Sequence, residues 1–315
     1  MGDANDTPKP SVPGFHIVGT IQATGVLVNI KTEAFRKGDR IAALLPNGGG
    51  NAKYISIPKS SAMLLPDDAT HEDIICLVAN YMTAYQCLKL SKKDGAPLTN
   101  ANVLITGGSG PVGQALVELA VKEGAKVYAT AHKMHEEHLT KLGARWFSVK
   151  PKRWLPYLVS GEFSLLFLVF IICTRTYNLL ASLQEGKMDV VIDSLCVDGY
   201  ESSYRALTSD GILVCNTGNT SAELNNDPQS VCAGCDDNGM SAWWSTIKAK
   251  YFWSRAIFYD MNESYESNPK MFHHELHYLI CQLQRGEIHP KVAGRVSLNQ
   301  VPKAQKLIEK GLPSK

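Results

Sequence analysis

An α/β chain is predicted, with a doubly wound parallel sheet following a smaller β-rich unit, and three observations predict it. From residue 101 onward, short apolar runs alternate with stretches of helical periodicity. Within that region, Ala101-Asn-Val-Leu-Ile-Thr-Gly-Gly-Ser-Gly-Pro-Val-Gly113 runs from a buried-type strand through a glycine-rich turn into the apolar-faced stretch Gln114–Lys122. Residues 12 to 90, by contrast, lack helical periodicity until about position 70 and are punctuated by Gly and Pro.

In the first region, alternating runs at His16–Ile21, Arg40–Leu44 and Lys53–Ile57 predict three strands, and His71–Leu90 predicts a helix leading out of the unit. In the second, strand Val103–Thr106 precedes helix Val112–Lys122 and strand Lys126–Thr130. A helix at about His135–Leu142 leads to a strand at Trp146–Val149. Strand Asp189–Asp193, helix Tyr200–Leu207 and strand Ile212–Cys215 continue the alternation. Near the end, Met271–Arg285 predicts an amphipathic helix, Lys291–Ser297 a strand and Val301–Lys310 a helix. No internal repeat is visible.

The chain has 315 residues, enough for two domains with a sizeable core. Its 44% apolar and 20% charged content is that of a soluble globular protein, and the expected location is cytoplasmic. A net charge of +2 gives no electrostatic case for nucleic acid or an acidic membrane. The polar start, Met1-Gly-Asp-Ala-Asn-Asp-Thr, has no apolar core and does not read as a signal peptide. The uncharged run Phe163–Cys173 falls well short of the ~20 residues a spanning helix needs, so it is expected to be buried or interfacial, with no integral membrane span. Eight scattered cysteines, mostly in apolar runs, fit buried free thiols in a reducing compartment.

The chemistry is concentrated at Gly107, Gly110 and Gly113. Strand, turn and helix together gather backbone N–H groups and the positive end of a helix dipole at one spot, which suits a pyrophosphate. The G-x-x-G-x-x-G spacing departs from the usual G-x-G-x-x-G, and the flanking strand and helix are what make a dinucleotide site the favoured reading over an ordinary turn. At the end of the second strand, Ala129-Thr-Ala-His-Lys133 has no acid for the ribose hydroxyls of NAD. It offers His132 and Lys133 to a 2′-phosphate instead, and NADP is the expected cofactor. The same two residues also suit a solvated helix start, and Glu136 stands where a further lysine would have strengthened the reading.

Several landmarks in order resemble the medium-chain dehydrogenase/reductase superfamily, in its zinc-independent quinone oxidoreductase branch. They are Pro13-Gly14-Phe15 with Gly19, Phe35-Arg-Lys-Gly-Asp-Arg40, Ala52-Lys-Tyr54, Thr83-Ala-Tyr85, the glycine loop, Leu142-Gly-Ala144, Asp189–Asp193 and Gly211-Ile-Leu-Val214. Trp243-Trp244 and Gly286-Glu-Ile-His-Pro290 are most similar to the synaptic-vesicle VAT-1-like subgroup. The resemblance implies a GroES-like catalytic domain at 1–90 lacking its first strands and a Rossmann domain at 91–270 with an insertion near 151–187. A tail at 271–315 would complete the nucleotide domain and return to the catalytic domain.

It also implies that Ser109, Gly110, Pro111 and Val112 wrap the pyrophosphate, with Thr130 alongside, and that the helix carrying Thr83 reaches the nicotinamide. Asn216, Thr217 and Gly218 would lie near the nicotinamide ribose, although they suit an ordinary strand-ending turn equally. The function implied is NADPH-dependent hydride transfer to a quinone or an α,β-unsaturated carbonyl, in a homodimer by family habit. A catalytically weak, nucleotide- or partner-binding protein of the VAT-1 kind is the alternative, as is the product of a faulty gene assignment with a retained 151–187 segment. Without its first strands the catalytic unit is expected to bind NADPH and turn over poorly. No metal is expected. Phe15 and His16 stand where zinc alcohol dehydrogenases carry P-G-H-E, Cys232-Ala-Gly-Cys235 is half of a tetrahedral site, and His273-His-Glu-Leu-His277 falls one residue short of H-E-x-x-H. No side chain is singled out as catalytic.

Overall fold

The computed structural model describes residues 12–26, 35–66, 71–148, 187–196, 199–216 and 247–309. The insertion near 151–187, Thr217, Gly218, Trp243, Trp244 and the Cys232–Cys235 pair therefore lie outside the described residues, apart from Lys187. The fold is α/β as predicted, with one parallel and one antiparallel sheet. By contacts the chain separates into two compact units, Met1–Met82 with Ser264–Lys315, and Thr83–Glu263.

The second unit holds the parallel sheet. Its strands are β4 (Asn102–Ile105), β5 (Lys126–Ala131), β6 (Arg145–Ser148), β7 (Met188–Asp193), β8 (Leu207–Cys215) and β9 (Ala256–Phe258), in the order β6-β5-β4-β7-β8-β9. All five pairings are parallel. Chain order reverses between β4 and β7, so the crevice of this doubly wound sheet opens at their carboxyl ends. Val103, Leu104, Ile105, Val191, Ile192, Leu213 and Val214 are completely buried, because residues on both faces of these strands meet apolar neighbours. Each such side chain contributes about 2 kcal/mol of burial. Strand β9, three residues long, is too short to show a period in the sequence.

Helix α3 (Pro111–Lys122) follows β4 and presents Ala115, Leu116, Val117, Leu119 and Ala120 to the sheet. Proline at its first turn costs no hydrogen bond there and pre-sets φ. Gly124, at φ +83, ends the helix in the left-handed region that a side chain would resist. Helix α4 (Glu136–Lys141) stands between β5 and β6, and α5 (Glu201–Arg205) between β7 and β8. Helix α2 (Met82–Leu90) enters the unit from the helical stretch that begins in the first unit as α1 (His71–Cys76). A π-helical turn, Leu77–Tyr81, links α1 to α2, where sequence periodicity predicted one uninterrupted helix.

The first unit carries an antiparallel sheet of β1 (His16–Thr20), β2 (Arg40–Leu44) and β3 (Met63–Leu64), in that order. The predicted strand at Lys53–Ile57 is not one: these residues form a bend and irregular chain, and are mostly exposed. Both edges of β2 are already taken by β1 and by Met63–Leu64, so the alternating segment has no free edge of β2 to pair with. Lys291–Ser297 likewise forms no strand, and every residue in it is exposed. Helices α6 (Met261–Ser267), α7 (Pro269–Gln284) and α8 (Val301–Glu309) complete the chain. Asn268 caps α7 by accepting a bond from the Met271 N–H at 3.0 Å, and Pro269 occupies its first turn. No helix among the described residues is long and apolar enough to cross a membrane.

Candidate nucleotide site

The glycine turn sits at the carboxyl end of β4, and each glycine in it answers a separate demand. Gly107 adopts φ +70, which lets the chain leave the strand sharply. A Cβ on Gly113 would lie 2.2 Å from the Gly107 carbonyl oxygen, so the helix backbone approaches the turn as closely as only glycine permits. Gly110 is different. Its φ is −70, and a Cβ there would meet only the Gly107 oxygen, at 3.4 Å. The space over Gly110 is open, so the fold itself does not require glycine there.

The N-terminus of α3 has no side-chain cap. Pro111 brings no N–H, and the N–H groups of Val112 and Gly113 meet no acceptor among the described residues. The loop carbonyls are instead taken up internally. That of Gly107 accepts from the Gly110 N–H at 3.0 Å, that of Gly110 from the Gln114 N–H at 2.9 Å, and that of Ser109 from the Gln114 side-chain amide at 2.7 Å. Donors without partners, carbonyls already bonded and the positive end of a twelve-residue helix make this an anion-accepting end.

Thr130, at the end of β5, anchors the turn from the neighbouring strand. Its carbonyl accepts the Gly108 N–H at 2.9 Å, and its hydroxyl accepts the Gly107 N–H at 3.3 Å. Beyond it, His132 and Lys133 are exposed. His132 Nδ1 accepts the Met134 N–H at 3.3 Å, so the neutral ring carries its proton on Nε2. The Trp146 indole donates to the Ala131 carbonyl at 3.1 Å and fixes the path into this turn.

Asp193, in the sequence only the end of a landmark run, holds the crevice together. The buried Asp193 carboxylate, at the end of β7, accepts the Thr106 hydroxyl at 2.7 Å, the Leu195 N–H at 2.9 Å, the Cys196 N–H at 3.1 Å and the Ser203 hydroxyl at 2.5 Å. Thr106 Oγ1 in turn accepts the Ser194 N–H at 3.0 Å. The Asn216 N–H donates to the Asp193 carbonyl at 2.9 Å and its side-chain amide to the Ser194 hydroxyl at 3.2 Å. Asn216 thus joins the loops after β7 and β8, as Thr106 joins those after β4 and β7. Burial, with the Asp193 charge adding to it, pushes the Cys215 thiol up, so this cysteine is an inert core group.

Thr83 is buried on α2 and donates to the Met261 sulfur at 3.6 Å. On the same helix Gln86 accepts the Tyr259 hydroxyl at 2.7 Å, and the Tyr259 N–H bonds the Cys215 carbonyl at 3.0 Å. These contacts fasten α2 to the segment after β9, beside the end of β8. Elsewhere, His273 and His277 share α7, where His277 Nδ1 meets the Cys281 thiol at 3.7 Å. Among the described residues no three His, Cys, Asp or Glu side chains gather as metal ligands do.

A parallel sheet with this strand order, and an uncapped glycine-entry helix at its switch point, defines the doubly wound class of nucleotide-binding folds. No family model matches the chain. A quinone oxidoreductase-like protein 2 homolog from Nematostella vectensis is 32% identical over 146 residues, which is 46% of this chain and 38% of that protein. The chain therefore aligns with well under half the length of that relative. The quinone oxidoreductase from Coxiella burnetii superposes with a TM-score of 0.66 at 18% identity, over 96% of this chain and 77% of that one. A mycobacterial protein solved with NADPH gives a TM-score of 0.66 at 20% identity, over 97% and 82%. Over part of its length the chain is thus similar in sequence to quinone oxidoreductases, and its fold is the one these solved structures share.

Proposed function

We propose that the chain is an NADPH-dependent oxidoreductase that reduces a quinone or an α,β-unsaturated carbonyl. The observation that carries this reading is the open, uncapped helix end at Gly110, set at the switch point of the sheet. Val112 and Gly113 would offer their N–H groups to the pyrophosphate, with Gly107, Ser109 and Pro111 shaping its cradle. Thr130 would support the cradle from β5, and Asn216, with Thr217 and Gly218, would follow the nicotinamide ribose beside Thr83. His132 and Lys133 would face the 2′-phosphate, and β5 ends without the acid that an NAD site places there. The bound cofactor supplies a hydride from C4, which with one proton completes a two-electron reduction of the acceptor. Phe15 and His16 support a zinc-independent reaction, since neither reproduces the zinc-ligating pair of the alcohol dehydrogenases. A cytoplasmic homodimer acting on a small molecule belongs to the same proposal.

Calorimetry with NADPH and NADH tests it. The wild-type chain should bind NADPH, and Gly110→Val should abolish binding while leaving the unfolding midpoint close to wild type. Lys133→Ala should weaken NADPH about tenfold or more and spare NADH, because one charge-assisted contact is worth ~1.5–3 kcal/mol. Turnover of 9,10-phenanthrenequinone with NADPH tests the reaction itself. Unchanged affinity in Gly110→Val would overturn the placement, and equal losses for both cofactors in Lys133→Ala would overturn the 2′-phosphate assignment.

A further inference from the structure

Gln114 makes two of the bonds that silence carbonyl oxygens around the anion-accepting helix end. Its N–H takes the Gly110 carbonyl at 2.9 Å, and its side-chain amide takes that of Ser109 at 2.7 Å. A carbonyl oxygen turned toward an incoming phosphate would repel it, so which way the Ser109 peptide faces matters to any pyrophosphate. Gln114 Oε1 lies 2.8 Å from His138 Nε2, on α4. The direction of these bonds is forced. The nitrogen of the Gln114 amide must face the Ser109 carbonyl, because two oxygens cannot share a hydrogen bond, and this leaves its oxygen as a pure acceptor. His138 must therefore carry a proton on Nε2.

We propose that Gln114 and His138 form a positioning relay that holds the Ser109 carbonyl away from the cofactor's pyrophosphate and so sets nucleotide affinity. Neither residue touches the cofactor in this account. The relay spans 24 residues of sequence and ties the helix after the His132–Lys133 turn to the glycine turn. It rests on the nucleotide reading above, and its loss adds a cost to every ligand that carries a pyrophosphate, whatever its 2′ group.

The test uses the full chain, four probes (NADPH, NADH, ADP and 2′-AMP) and four variants. Gln114→Leu removes the amide and should weaken NADPH, NADH and ADP together by about tenfold, the value of one hydrogen bond to an oriented group. The same variant should leave 2′-AMP, which has no pyrophosphate, unchanged. His138→Leu should reproduce part of that loss, and His138→Gln, which restores an N–H donor, should recover it. Gln114→Glu sets a carboxylate against the Ser109 carbonyl and should be the weakest binder of ADP. Wild-type ADP affinity in Gln114→Leu would overturn the relay and leave the nucleotide reading standing. Equal losses for ADP and 2′-AMP would also overturn it, since they would report general damage to the unit. A wild-type chain that binds none of the four probes would overturn both.

Discussion

The two sheets bury their strands to different depths. In the parallel sheet, three consecutive residues of β4 are fully buried, and β7 and β8 contribute five more. In the antiparallel sheet, the first four residues of β1 are only half-buried and Thr20 is exposed, while Phe15 and Tyr54 nearby in sequence are 53% and 69% exposed. Only β2, between its two neighbours, is buried in the same way, with Ala42, Ala43 and Leu44 nearly inaccessible. A strand covered on both faces is stabilised by its own composition. One with a single covered face depends on which neighbours it finds, and this decides how each unit answers mutation.

The largest effect is expected inside the glycine turn of the parallel unit. Gly113→Ala forces a methyl group against the Gly107 carbonyl and should cost about 3 kcal/mol in denaturant unfolding, whereas Gly110→Ala should cost less than about 1 kcal/mol. Equal losses would show that the turn is looser than its contacts indicate. Next come the sheets themselves. Leu104→Ala should cost about 3 kcal/mol, against about 1 kcal/mol or less for Val18→Ala on β1. A Val18→Ala loss as large as that of Leu104→Ala would erase the contrast between the sheets.

Asp193→Ala should cost about 2 kcal/mol or more, because it strands the Thr106 and Ser203 hydroxyls and the Leu195 and Cys196 N–H groups. Asp193→Asn, which keeps the shape and half the acceptors, should cost less; the reverse order in thermal melts would show that the carboxylate is not the organising group. The smallest effect is a pH dependence in the antiparallel unit. Burial holds His16 and His273 below their ordinary value of 6.5, so the unfolded chain takes up these protons first as pH falls. Stability is full above 6.5 and declines below it, until the folded-state values are reached. The slope of melting temperature against pH should flatten in His16→Gln, and a slope unchanged by both His16→Gln and His273→Gln would remove this term.

How far the sequence is legible follows the same division. The runs Val103–Thr106, Asp189–Asp193 and Ile212–Cys215 are apolar enough to announce strands covered on two sides, and all three are strands. Lys53–Ile57 and Lys291–Ser297 show the alternation of extended chain, but alternation says nothing about a partner edge. The two-residue β3 and three-residue β9 are shorter than any period that could reveal them. At the site, glycines are legible because backbone geometry demands them locally. Asp193 and Thr106 lie 87 residues apart, and Gln114 and His138 are ordinary helix residues until the folded chain brings them together. Asp193 is visible as the end of a landmark run, but its partners, like those of Gln114 and His138, are not.

Gly108 has no space of its own. A Cβ there would fall 2.9 Å from the Ala129 methyl of β5, and 3.5 Å from a Leu139 methyl of α4. The two positions therefore behave as one steric unit with room for a single methyl group, and in evolution they should change as a pair. Lineages carrying alanine in the turn should carry glycine in the strand, leaving a trace of covariation between residues 21 positions apart that no hydrogen bond between their side chains could write.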